Sequence, residues 1–123
     1  NATNNQGAES RYMTSKIFYD NNEMELAEVA INSANEKNSA YANWVAKGLL
    51  LLSDIYIKNG DIFNARAATE AVVENFSSDK DLLSEANQKL NKIKTLEKNQ
   101  SRIKTKSNSD QLELDTTGTN RND

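Results

Sequence analysis

Two stretches of the chain, SKIFYDNNEMELAEVA at residues 15–30 and SDIYIKNGDIFNARAA at residues 53–68, match each other at an offset of 38 residues. Each begins with a small residue, continues with an aromatic residue, passes through an Asn-containing turn and carries alanines at the same spacing. The same residue classes recurring in the same order indicate a stacked repeat. Because a repeat unit cannot bury its apolar face alone, units stack on one another and leave a long surface free to bind.

Apolar and small residues recur every three or four positions on both sides of each turn, which predicts amphipathic helices. We predict helices over residues 8–20, 23–35, 40–58 and 61–75, with Ser39 as the N-cap of the third. A fifth helix is predicted from near Asp79 to beyond Lys98. The lack of Pro and the low Gly content favour long helices, so the predicted fold class is all-α.

These helices divide the chain into five parts. We predict a flexible lead-in over residues 1–7, two helical hairpins over 8–38 and 39–76, a C-terminal capping helix over 77–104 and a disordered polar tail over 105–123. The tail is predicted to be disordered because it lacks the apolar surface needed to offset the entropy lost on folding.

Composition excludes several kinds of chemistry. The chain has no His, the commonest general base and transition-metal ligand, and no Cys, so thiolate chemistry is absent. We therefore expect no enzyme activity, no catalytic residues, no metal and no cofactor. The run Leu49–Leu52 is far shorter than the roughly 20 apolar residues of a membrane span. We interpret it as part of a buried helix and expect no membrane span.

With this repeat and these predicted hairpins, the chain resembles the tetratricopeptide repeat family, whose unit is a pair of antiparallel helices. The second copy fits the family's sequence of large, small, aromatic and turn residues at Leu49, Leu52, Ser53, Tyr56, Gly60, Asp61, Ala65 and Val72. The first copy fits it at Ser15, Phe18, Ala27, Ile31 and Ala34, with Asn22 in place of the Gly. The offset of 38 residues exceeds the family's usual 34, and the surplus falls near residues 36–42. The resemblance implies an α-solenoid of two hairpins followed by a capping helix.

The resemblance also implies where a partner binds. In this family the first helix of each pair lines a concave surface that holds a protein or peptide partner. The positions that usually meet the ligand correspond here to Glu9, Tyr12, Lys16, Tyr19, Asp20, Lys47, Leu50, Asp54, Ile57 and Lys58. Their mixture of aromatic, aliphatic and charged side chains suits an extended peptide. Trp44, just before the second copy, is interpreted as a residue that packs between repeats.

Two other functions stay open. Residues 79–106 carry a net charge of +4, between segments of −4 and −3, so the fifth helix is a candidate for contacts with nucleic acid phosphates. No aromatic residues alternate with its basic ones, and we do not expect nucleic acid as the partner. A structural module that self-associates, through the open side of the first helix or through the fifth helix, is the second alternative.

The number of repeats and the composition suggest what kind of protein the chain comes from and where that protein is located. About three repeats are usually needed for stability, so we expect the chain to be the C-terminal part of a longer array. Similar Asn- and Lys-rich arrays are bacterial, and we expect the cell envelope or the cytoplasm. No signal peptide is visible in the sequence.

Overall fold

The structure is a computed structural model that describes the backbone of residues 5–122 and the side chains of residues 5–106. It contains five helices and, within that range, no strand, so the all-α prediction is confirmed. The helices are α1 (Asn5–Asp20), α2 (Met24–Lys37), α3 (Ala42–Lys58), α4 (Ile62–Asn75) and α5 (Lys80–Asn122). The chain divides into two compact units at Ile93, within α5.

Two predicted segments fall at the edges of the described range. Helix α1 begins at Asn5, three residues before its predicted start, and Gly7 is buried. The remainder of the predicted lead-in, residues 1–4, lies outside the described residues. The bounds of α5 continue through most of the predicted tail at 105–123, but its side chains beyond Lys106 lie outside the described residues. Disorder of the tail therefore stays a prediction.

The two hairpins are held by the same contact. In the first, Ser15 on α1 is fully buried and its Oγ donates a hydrogen bond of 2.8 Å to the carbonyl oxygen of Ala27 on α2. In the second, Ser53 on α3 is fully buried and its Oγ donates a bond of 3.1 Å to the carbonyl oxygen of Ala65 on α4. A small side chain lets the two helices approach closely, and the bond satisfies the buried hydroxyl.

The turns of the two hairpins are also equivalent. Asn22 and Gly60 both have positive φ angles, of 62° and 78°. The amide of the following residue, Glu23 or Asp61, donates to the carbonyl oxygen five residues earlier, at 2.9 and 2.8 Å. This six-to-one hydrogen bond, next to a left-handed residue, is the Schellman termination of a helix, which Gly and Asn tolerate best.

Stacking of the hairpins produces the core. Helix α3 packs against α2 and α1 as well as against α4. One buried cluster joins α2 to α3, and the other joins α3, α4 and the first turns of α5. The first contains Ala27, Ile31, Ala34, Leu51, Leu52 and Ile55, and the second contains Ala46, Leu50, Val72, Leu82 and Ala86. Full burial of a side chain such as Ile31 stabilises the fold by about 1.5–3 kcal/mol.

The connector between the hairpins departs from the prediction. Asn38 is 1% exposed, and its side chain donates a bond of 3.1 Å to the carbonyl oxygen of Ala8 and accepts one of 2.9 Å from Arg11. Its own carbonyl oxygen accepts from the Tyr41 amide, which forms a turn before α3. Helix α3 therefore starts at Ala42, and the prediction of Ser39 as its N-cap is wrong.

Gly48 on α3 faces the side chain of Asn35 on α2. A Cβ at this position would overlap the side-chain oxygen of Asn35, so that side chain would have to move. That oxygen is buried and has no hydrogen-bond partner, so little is lost when it is removed. Gly48 therefore leaves room for the Asn35 side chain between the two helices.

We predict that Gly48→Ala destabilises the chain by about 1 kcal/mol, although the same change in an unobstructed helix stabilises by about 1 kcal/mol. In the Asn35→Ala background, where the overlap is removed, Gly48→Ala is expected to stabilise. Urea unfolding of the four proteins in this double-mutant cycle measures the coupling. Stabilisation by Gly48→Ala in both backgrounds would contradict the packing described.

Candidate functional site

An open groove of about 460 Å³ lies between α1, α3 and the first turns of α5. Its lining is Tyr12, Met13 and Lys16 from α1; Trp44, Lys47, Leu50, Leu51 and Asp54 from α3; and Asp81, Leu82, Glu85 and Lys89 from α5. The groove combines an apolar floor with charged side chains, the composition of many ligand sites.

Each helix lines the groove with side chains from consecutive turns of one of its faces. Asp81, Glu85 and Lys89 on α5 are spaced four residues apart, as are Tyr12 and Lys16 on α1. Residues at this spacing lie one above the other along a helix. Each of the three helices therefore exposes a row of side chains to the groove, while other faces of α1 and α3 hold Ser15 and Ser53 in the hairpin contacts.

An aromatic pair joins two of the three walls. The rings of Tyr12 on α1 and Trp44 on α3 lie 5.6 Å apart at a tilt of 44°. The Trp44 Nε1 donates a bond of 2.7 Å to the side-chain oxygen of Asn5, and the Lys47 Nζ lies 4.4 Å from the centre of the Trp44 ring. Trp44 thus packs between the hairpins, as the sequence suggested, and also lines the groove.

An ion pair joins the other two walls. The Lys89 Nζ on α5 donates to both carboxylate oxygens of Asp54 on α3, at 2.9 and 2.8 Å. The side chains are only 20% and 29% exposed, so water screens this pair less than an exposed one. The pair fixes α5 against α3, and the Asp54 carboxylate is engaged within the groove wall.

A second ion pair lies at the α1 side. The Lys16 Nζ contacts the Asp20 carboxylate at 2.6 Å and lies 5.3 Å from the centre of the Tyr19 ring. The hydrogen bond to Asp20 raises the pKa of Lys16 and keeps its ammonium charged.

The ten residues predicted to meet a partner fall into two sets. Tyr12, Lys16, Lys47, Leu50 and Asp54 line the groove, although Leu50 is almost fully buried in its floor. Tyr19, which packs against the core, and Ile57 are half-buried outside the groove lining, and Glu9, Asp20 and Lys58 are exposed outside it. Contact of any of the ten with a partner stays a prediction.

The predicted set omitted the wall formed by α5. Asp81, Glu85 and Lys89 line the groove because Leu82 and Ala86, four residues apart, pack against α3 and α4. Leu82 and Ala86 have the same four-residue spacing as Ala46 and Leu50 on α3, but this spacing marks the buried face of any amphipathic helix and does not by itself predict that α5 lines a groove.

No helix among the described residues is both long enough and apolar enough to cross a membrane. Nor does the described part of the chain bring three or more acidic side chains together in an arrangement that fits a metal ion.

No protein-family model, curated protein or solved structure matches this chain. Its function is therefore inferred from the chemistry of its own residues.

Tyr12 links the groove to the pH dependence of folding stability. Burial raises the pKa of its phenol above the ordinary 10.0; Lys16 partly opposes this, and the negative charges of Glu85 and Asp54 add to it. The folded chain therefore holds the phenolic proton more tightly than the unfolded chain does.

We predict that Tyr12 contributes stability that is complete below pH about 10 and is lost as the pH rises through its folded pKa. Tyr12→Phe should reduce the loss of stability at high pH, while burial of Tyr19 and Tyr56 also raises their pKa values and leaves part of the loss. Urea unfolding at several pH values between about 8 and 11 measures the decline. Equal declines for the wild-type and Tyr12→Phe proteins would contradict the burial of this phenol.

Proposed function

We propose that this chain is a non-catalytic scaffold that binds an extended segment of a peptide or protein partner in the groove between α1, α3 and α5. The single observation that carries the proposal is that three helices line one open groove with a mixture of apolar and charged side chains. Such a surface offers pockets for apolar side chains and charges that fix their orientation.

The chemistry of the groove favours binding over catalysis. Its apolar floor is formed by Leu50, Leu51 and Leu82, which are 2%, 3% and 7% exposed. Asp54, the most enclosed acid of the lining, is held by Lys89 and is therefore a poor candidate for a proton-transfer group. A guest with apolar side chains directed at the floor and polar groups at the rim fits this arrangement.

We also propose that the two hairpins form a solenoid of the tetratricopeptide type, capped by the start of α5. The repeated serine contacts, the repeated left-handed turns and the packing of α3 against both α1 and α2 support this arrangement. In such a stack the first helices lie side by side, which places Tyr12 and Leu50 at equivalent positions in neighbouring units.

Nucleic acid is the less favoured partner. Lys89 is bound to Asp54, whereas Lys92, Lys94, Lys98, Arg102, Lys104 and Lys106 are exposed. If these residues contact phosphates, affinity for duplex DNA or single-stranded RNA should fall steeply with salt. Binding in the groove should change little over the same range because its floor is apolar.

We predict that Trp44→Ala weakens groove binding by about tenfold or more, since a partly buried aromatic residue at the centre of an interface is a common energetic anchor. Peptides selected from a random displayed library against the full chain supply the ligand, and calorimetry measures the dissociation constants. Circular dichroism checks that the variant is folded.

Phe63→Ala is the matched control, because Phe63 is an aromatic residue that is 81% exposed on α4 and does not line the groove. It should change affinity less than twofold. Lys58→Ala distinguishes the groove seen in the structure from the binding site predicted from the sequence. Lys58 belongs to the predicted site but does not line the groove, so no effect on affinity is expected. Equal losses for Trp44→Ala and Phe63→Ala would overturn the proposed binding site.

A further inference from the structure

Both helices of the first hairpin carry large apolar side chains that are exposed. Ile17 on α1 and Leu26 and Val29 on α2 are 55%, 51% and 68% exposed, and Met13 on α1, which also lines the groove, is 43% exposed. We call the surface formed by these residues, with Thr14, Ala30 and Ser33 between them, the outer face. Large apolar residues clustered on a surface usually mark an interaction site.

The second hairpin shows how such a surface is built when it is covered. Leu51 and Ile55 on α3 occupy the positions of Met13 and Ile17 in the repeat, yet they are only 3% and 0% exposed. They are buried because α2 packs against them. Helix α1 therefore carries side chains suited to a helix–helix contact, but no helix in the described part of the chain covers them.

The apolar residues on α2 are specific to the first hairpin. The positions of Leu26 and Val29 correspond to Asn64 and Ala67 on α4. At these two positions, large exposed apolar side chains are thus found on α2 and not on α4, where the large exposed apolar residue is Phe63 at a different position. Their presence on α2 extends the outer face across both helices.

The outer face also contains a recess beside its protruding side chains. This recess of about 200 Å³ is lined by the short side chains of Thr14, Ala30, Ser33 and Ala34, with Arg11 and Lys37 at its edge. It is large enough for an aliphatic side chain. A surface that holds both protrusions and a recess can pack against a second copy of itself, since a two-fold interface pairs the same patch on both chains.

The charges on α2 favour one direction of packing. Glu23 and Glu25 lie at its start, and Lys37 lies at its end, where it lines the recess beside the exposed Glu36. If two copies place their α2 helices antiparallel, the Lys37 end of one helix meets the Glu25 end of the other. The helix dipoles also oppose each other in this arrangement.

We propose that the outer face is the interface of a homodimer, in which two copies pack α1 and α2 antiparallel about a two-fold axis. Ile17, Leu26 and Val29 of each copy contact the recess of the other. These three residues do not line the groove, whereas Met13 belongs to both surfaces, so the proposed interface reaches the edge of the groove. This proposal does not depend on the function proposed for the groove.

Sedimentation of the full chain from about 1 µM to about 1 mM tests the proposal. The wild-type protein should shift from monomer to dimer as concentration rises. Ile17→Glu/Val29→Glu should raise the dimer dissociation constant by about 100-fold or more, because each substitution places an unpaired charge in an apolar contact. Both residues are exposed in the monomer, so the variant should stay folded by circular dichroism.

Phe63→Glu is the matched control, since it places the same charge at the more exposed apolar position on α4 and should leave the dissociation constant unchanged. The direction of packing is tested by Glu25→Lys and Lys37→Glu: each alone should weaken the dimer several-fold, and the two together should restore it.

If the protein is a monomer at every concentration, the outer face does not pair with a second copy and the proposal is overturned. A dimer that survives Ile17→Glu/Val29→Glu, or that Phe63→Glu disrupts equally, would place the interface elsewhere and overturn it too. Failure of the combined charge variant to restore association would overturn the antiparallel arrangement.

Discussion

Close approach of the two helices in each hairpin is the constraint on which the fold depends. It is set by Ser15 and Ser53, whose buried hydroxyls donate to main-chain carbonyl oxygens on the facing helix. A larger side chain at either position would separate the helices. An apolar one would remove the serine donor from the Ala27 carbonyl oxygen, whereas the Ala65 carbonyl oxygen would keep its bond of 2.9 Å from the Thr69 hydroxyl. Since α3 contacts α1, α2 and α4, the spacing of each hairpin also sets the spacing between hairpins.

The groove is lined by one face of each of three helices, α1, α3 and the start of α5. Two interactions then close the walls: the Tyr12–Trp44 ring contact and the Asp54–Lys89 ion pair. The ring contact buries apolar surface. The ion pair mainly fixes the position of α5 against α3, because its attraction is offset by desolvation. The groove is thus formed largely by the folded chain itself, and under the proposed function this preorganisation reduces the entropy lost on binding.

Local features of the fold could be predicted from the sequence. The serines, the left-handed turn residues Asn22 and Gly60 and the helical spacing act over a few residues, and the repeat shows them twice. Features that join distant segments could not. Asn38 binds Ala8 and Arg11 from 30 and 27 residues away, and Lys89 binds Asp54 from 35 residues away. Nothing in the local sequence selects these partners, so the start of α3 was misplaced and the α5 wall of the groove was missed.

The connector accommodates the offset of 38 residues between the two copies. Residues 36 and 37 complete α2, and residues 38–41 form a turn whose buried Asn38 binds back to α1. The side-chain amide uses both its donor and its acceptor there, so the polar group is satisfied although it is buried. This bond fixes α1 where the connector enters α3, and it holds the Tyr12 side of the groove against Trp44. The same anchoring leaves the opposite side of α1, with Ile17, facing away from the stack. A single polar residue in the connector therefore helps to define both surfaces of the first hairpin, the groove wall and the outer face.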